Sequence, residues 1–299
     1  IVFDHPSPTF RNLMYVGYQA NREKARQISE DIYGQIDKLK VIFEKAGTPV
    51  FQVEGFEADD IIGTIAVQAT TKYLTPDPSP NLGEGGRVII ITGDRDLMQL
   101  VDENVNLYMS FKGISDMTIV DSEKVKERLG ILPAQVIDYK ALVGDTSDNY
   151  PGVPGIGPVM AKKLIEEFGS FEKIYKSLST SPRAHQNTTP LPRRTPSFSP
   201  PNLGGDTPQG EGVFIGGGDR QVGGGINLGE GTIKKLINGY ESGELSKRLA
   251  TIKCDVPFTF DSDKCQVPSN KQIADVLGEL GYKSLTKRAE KPKQQESLF

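Results

Sequence analysis

Residues 1–148 are expected to form an α/β core, a mostly parallel central sheet with flanking helices, and residues 149–285 a helical region behind it. Arg87 to Thr92, R-V-I-I-I-T, is a continuous β-branched run of the kind buried on both faces of a parallel sheet. Strand-like and helix-like stretches alternate from Val2 to about Gly144, as in sheets whose strands are joined by helical crossovers. Beyond Asn149 the pattern turns helical.

Taken in order, Val2 to Asp4 reads as a strand, followed by a polar, basic stretch and a long helix to about Ala46. A strand over Pro49 to Val53 leads into a helix from Glu57, and the 87–92 strand follows. P-G-V-P-G-I-G, Pro151 to Gly157, punctuates two helices, the second carrying an amphipathic repeat over Ala161 to Phe168. Thr232 to Cys254 and Asn270 to Leu280 are the remaining helical stretches.

Two segments break this pattern. Residues 75–86 and about 179–231 are rich in Pro, Gly and Ser, and N-L-G-E-G occurs at both Asn81 and Asn227. Such composition buries too little apolar surface to offset the entropy of ordering, so both read as low-complexity inserts. Residues 286–299 read as a disordered basic tail.

With 36% hydrophobic residues in 299, the chain can bury a sizeable core. No stretch approaches the roughly 18 apolar residues of a membrane span. Cys254 and Cys265 have no metal-ligand spacing and read as free thiols of a cytoplasmic protein. A net charge of −4 argues by itself against a nucleic-acid partner. Carboxylates that hold divalent cations remove that objection, because the cations invert the local charge.

The acids gather in four places: Asp4, E-A-D-D (Glu57 to Asp60), D-R-D (Asp94, Asp96) and D-T-S-D (Asp145, Asp148). Three of the four follow apolar strands, where open α/β sheets bind ligands. Each alone could merely cap a helix or organise a turn. Converging together they would repel one another, and a hard divalent cation with oxygen ligands relieves that repulsion. No Ser-His-Asp or Cys-His set competes, since His5 and His185 lie in Pro-rich surroundings.

The motifs V-F-D-x-x-x-P-T-F-R (from Val2), Y-Q-A-N-R (from Tyr18), V-E-G-F-E-A-D-D-I-I-G-T (from Val53), T-G-D-R-D-L-M-Q-L (from Thr92) and G-D-T-S-D-N-Y-P-G-V-P-G-I-G (from Gly144) occur in this order. Together with S-K-R-L-A-T-I-K-C-D-V-P (from Ser246), they resemble the 5′→3′ exonuclease domain of bacterial DNA polymerase I, a relative of flap endonucleases.

The resemblance implies a PIN-like 5′ nuclease core with a helix-hairpin-helix DNA-binding region. Activity would be structure-specific hydrolysis of DNA phosphodiesters in replication and repair. Asp4, Glu57, Asp59, Asp60, Asp94, Asp96, Asp145 and Asp148 would be the catalytic, metal-holding carboxylates, for two or more Mg²⁺ ions or Mn²⁺ in their place. Arg11, Tyr18 and Arg22 would grip the 5′ strand. Gly152, Gly155, Gly157, Lys162 and Lys163 would bind duplex DNA, with a K⁺ ion at the hairpin. The expected partner is DNA with 5′ flaps or ends, bound by a monomer with no membrane association.

The family's first strand with its Asp-Gly-Asn motif is not present, so the chain as given is expected to be weakly active or inactive. Gln19 stands where the family usually has lysine. An inactive DNA-binding module and a PIN-like metal-dependent ribonuclease are the rival readings. The tail sequence Q-E-S-L-F is similar to sliding-clamp peptides, with Gln295, Leu298 and Phe299 as the docking residues.

Overall fold

The computed structural model describes residues 1–21, 30–73, 87–111, 113, 116–179, 220–221 and 227–290, without the side chains of 30–33, 220, 221 and 227. Its helices are α1 (Phe10–Met14), α2 (Glu30–Lys45), α3 (Ala58–Tyr73), α4 (Ser122–Leu129), α5 (Val136–Val143), α6 (Pro158–Phe168), α7 (Phe171–Ser179), α8 (Glu230–Asn238), α9 (Tyr240–Ala250), α10 (Asn270–Glu279) and α11 (Lys283–Glu290). Three strands, β1 (Val88–Ile91), β2 (Val105–Ser110) and β3 (Met117–Val120), form a sheet in that order.

The sheet is mixed, with β1 parallel to β2 and β3 antiparallel to it. Strand β2 alternates strictly, burying Val105, Leu107 and Met109 while Asn106, Tyr108 and Ser110 stay half-exposed, as a one-faced strand requires. Strand β1 departs from the expectation of burial on both faces. Ile90 is buried but Ile91, which points to the opposite face, is 74% exposed, so only the face that carries Ile90 is covered at this end of the strand. The expected strands at Val2 and Pro49 meet as a single parallel bridge, Val2 to Phe51. Pro6 and Pro8 end the first of these stretches, since proline cannot donate to a ladder, and the second turns away at Gly55, with φ of 83°.

One apolar core joins Ala66 of α3, Ile90, Leu107, Leu142 of α5, Val153, Leu164 of α6, Ile174 of α7 and Leu236 of α8, so it continues across the expected boundary at 148/149. Leu228 is 1% exposed and belongs to it, and α8 begins at Glu230. Residues 227–231, which composition assigns to the long insert, are therefore part of the folded body. Residues 286–290 likewise extend a helix where a disordered tail is expected. The expected helix over 232–254 is two helices meeting at Gly239, where a Cβ would lie 2.7 Å from Val153 Cγ1.

A strap after α9 runs along α3 and fixes it against the sheet. Asp60, Thr64 and Gln68, one helical turn apart, accept backbone N–H groups from Lys253 (2.8 Å), Val256 (3.1 Å) and Phe260 (2.7 Å). Gly63 lies on the same side, where a Cβ would come within 2.9 Å of Ile252 Cγ2. Further along, α10 returns to α2, packing Val276 and Leu277 on Ile42 and Ala46.

Candidate metal centre

The first turn of α3 presents Glu57, Asp59 and Asp60 to three different environments. Asp60 is fully buried and takes a bidentate pair from Arg11, at 2.7 and 2.8 Å, besides the backbone N–H groups of Glu57 and Lys253. Arg11 also donates to the carbonyls of Leu249 and Thr251, each at 2.8 Å. Glu57 meets the same guanidinium at 3.2 Å and accepts from Tyr18 and Thr9. Burial nevertheless pushes its carboxyl up to about 7, against the pull of Arg11.

Asp59 has no cation paired with it among the described residues. Burial, then repulsion from Asp94, Asp96, Glu57 and Asp4, pushes its carboxyl up to about 8. Asp4 is exposed and accepts the N–H of Ala58 at 2.8 Å, capping α3 with one oxygen.

Directly after β1, Asp94 accepts the N–H of Asp96 at 2.8 Å, which turns the chain into a 3₁₀ helix and orients Asp96. Asp96, Asp145 and Asp148 each offer an oxygen within 4.8 Å of the others. Lys140, in the last turn of α5, places its ammonium between Asp96 and Asp145, 2.7 Å from the latter. Burial raises the Asp96 carboxyl despite Lys140. Burial acts the same way on Asp145, but hydrogen bonds from Lys140 and Ser147 outweigh it and bring that carboxyl down to about 2. Gln19, at φ 54°, donates through its amide to Asp148 at 3.2 Å.

The loop holding Asp145 runs straight into the glycine-rich turn. Asp145 and Tyr150 bridge through their backbones, and Gly144 packs on Gly152, where a Cβ would lie 2.3 Å from Gly144 N. Gly152 and Gly155 adopt φ of 66° and 81°. Gly157, exposed with open space around it, is the N-cap of α6, and Pro158 occupies N1. Lys163 is exposed and Lys162 half-buried.

The 5′-3′ exonuclease N-terminal resolvase-like domain matches residues 1–130, and the C-terminal SAM fold of the same exonuclease matches residues 131–191. The chain belongs to the 5′-3′ exonuclease family. Among curated relatives of this family, DNA polymerase I of Deinococcus radiodurans is 31% identical over 95% of this chain and 23% of its own length. That of Mycobacterium leprae is 41% identical over 60% of this chain and 18% of its own. The chain thus spans about a quarter or less of these relatives. In fold it is similar to T5 5′-exonuclease, solved with bound zinc, at a TM-score of 0.54 and 20% identity over 97% of this chain and 80% of that one.

Within this exonuclease fold, Asp59, Asp94, Asp96, Asp145 and Asp148 converge on one side, an all-carboxylate donor set suited to a hard divalent ion. Asp60 does not share that role, since every contact it makes is internal. Arg11 and Tyr18 differ from the strand-gripping expectation for the same reason: they are 2% and 5% exposed and face Asp60 and Glu57. Arg22, Gln295, Leu298 and Phe299 lie outside the described residues. Sequence reasoning passed over Lys140 altogether. Its signal was a lone cation in the last turn of an otherwise apolar helix end, K-A-L-V, five residues before Asp145.

Proposed function

We propose that this chain is a structure-specific 5′→3′ DNA nuclease that hydrolyses phosphodiesters at 5′ ends and flaps, in cytoplasmic DNA replication and repair. The observation that carries this reading is the meeting of Asp96, Asp145 and Asp148 within 4.8 Å, beside an Asp59 with no cation paired to it among the described residues. Asp4, Glu57, Asp59, Asp94, Asp96, Asp145 and Asp148 are the residues that would hold two or more Mg²⁺ ions, or Mn²⁺ in their place. Bound there, such ions supply charge neutralisation at the phosphate and an activated water.

The protein's own part is positioning. Arg11 and Asp60 brace the first turn of α3, so Asp59 is presented from a rigid helix end. The exposed Gly155 and Gly157 at the start of α6 offer backbone N–H groups to a phosphate of the duplex, with Lys163 alongside and a K⁺ ion as a further ligand. Docking on a sliding clamp through Gln295, Leu298 and Phe299 would raise the local concentration of the enzyme at its substrate.

A nuclease assay on 5′-flap DNA and a matched RNA flap tests the reading. Cleavage of the DNA flap with Mg²⁺, abolished by EDTA, is the expected result. Faster cleavage of RNA would make the chain a ribonuclease of similar chemistry. Tight flap binding without cleavage would make it an inactive binding module.

A further inference from the structure

The two oxygens of Asp145 are already engaged. Oδ1 accepts from the backbone N–H of Ser147 at 2.7 Å, from the Ser147 hydroxyl and from the N–H of Asp148 at 3.3 Å. Oδ2 accepts from the Lys140 ammonium at 2.7 Å, and the same ammonium is bonded to Asp96 Oδ1. The Ser147 and Asp148 bonds build the turn itself, whereas Lys140 reaches in from α5 on a flexible four-carbon stem. An ion that takes Asp145 Oδ2 therefore competes with Lys140 for that atom. A place to move to exists. The hydroxyl of Tyr150, a residue 3% exposed and bridged to Asp145 through the backbone, is buried with no hydrogen-bond partner among the described residues and lies within electrostatic range of Lys140. An orphaned buried hydroxyl is costly, and a lysine ammonium would satisfy it.

We propose that Lys140 is a displaceable countercation: it holds Asp96 and Asp145 together in the metal-free protein, and an entering divalent ion drives it from Asp145 onto the Tyr150 hydroxyl. Lys140 is thus a positioning residue that sets how much divalent ion the site needs. This rests on the metal-dependent reading above, which predicts an ion at these carboxylates but gives Lys140 no part in its binding.

Mn²⁺ titration of the whole chain, followed by the electron paramagnetic resonance of free Mn²⁺ and by melting temperature, tests it. Lys140→Met keeps the stem and removes the charge. It should bind Mn²⁺ about tenfold or more tightly, since a cation competing at bonding distance is gone, while its metal-free melting temperature falls. Lys140→Arg should remain near wild type. Tyr150→Phe, a conservative change, should bind Mn²⁺ severalfold more weakly with its metal-free melting temperature unchanged or raised, the reverse of a merely structural loss. Equal or weaker Mn²⁺ binding by Lys140→Met, or unchanged binding by Tyr150→Phe, overturns the displacement while leaving the metal reading intact. Absence of Mn²⁺ binding by wild type at millimolar concentration overturns both.

Discussion

Arg11→Met separates the two roles that sequence and structure assign to this arginine. The guanidinium makes two bonds to Asp60 at 2.7 and 2.8 Å and two to the carbonyls of Leu249 and Thr251 at 2.8 Å, all in a site 2% exposed. Removing one partner of a buried ion pair costs about 3–5 kcal/mol, because the other charge is left without compensation. Asp60 keeps its backbone donors from Glu57 and Lys253, which argues for the lower end. The two orphaned carbonyls add about 1 kcal/mol each. The sum, about 5 kcal/mol, corresponds to a melting temperature lowered on the order of 10 °C for a domain this large. Arg11→Met with Asp60→Asn should recover part of the loss, since a neutral amide leaves no uncompensated buried charge and its oxygen still accepts an N–H group from Glu57 or Lys253. Urea unfolding followed by circular dichroism measures the stability, and fluorescence anisotropy with flap DNA measures binding. A single variant within 1 kcal/mol of wild type that has lost DNA affinity would refute the internal role and restore the strand-gripping one.

Asp96→Ala should lower the cleavage rate on the order of a thousandfold or more with flap binding kept, as single-turnover kinetics will read; full turnover in excess EDTA would refute the metal dependence. Without metal, Glu57 and Asp59 are held up to about 7 and 8, above their unfolded values near 4. Their contribution to stability is present below about pH 4 and is lost as pH rises through 7 to 8, whereas that of Asp145, held down to about 2, is lost as pH falls toward 2. The melting temperature in EDTA should therefore fall between pH 5 and 9, and saturating Mg²⁺ should flatten the fall; a flat metal-free profile by scanning fluorimetry would count against the buried, repelling carboxylates. Gly152→Ala combines a φ of 66° with a Cβ 2.3 Å from Gly144 N and should prevent soluble expression. Gly157→Ala, in open space, should cost under about 1 kcal/mol, and equal stability of the two variants in thermal melts would contradict the turn geometry.

What could be read from the chain alone was what depends on neighbours a few residues apart. The β-branched run at Val88, the helix from Asn270, and the glycines of the Pro151 to Gly157 turn all follow from local dihedral preference and periodicity. The position of Asp94 and Asp96 at a strand end was legible on the same grounds, because a strand's end is a local event. Composition misassigned residues 227–231 since Asn, Gly and Glu look like linker, while burial of the single Leu228 is decided by a core built from distant helices. Two carboxylates adjacent in sequence, Asp59 and Asp60, read alike as metal ligands. Successive positions on a helix point about 100° apart, so one faces the acids and the other Arg11. Partners 49 residues away for Asp60, and the strap some 190 residues beyond α3, leave no trace in local pattern. Whether a charged side chain serves the fold or the chemistry is decided by which opposite charge the folded chain brings to it, and that only the tertiary structure could supply.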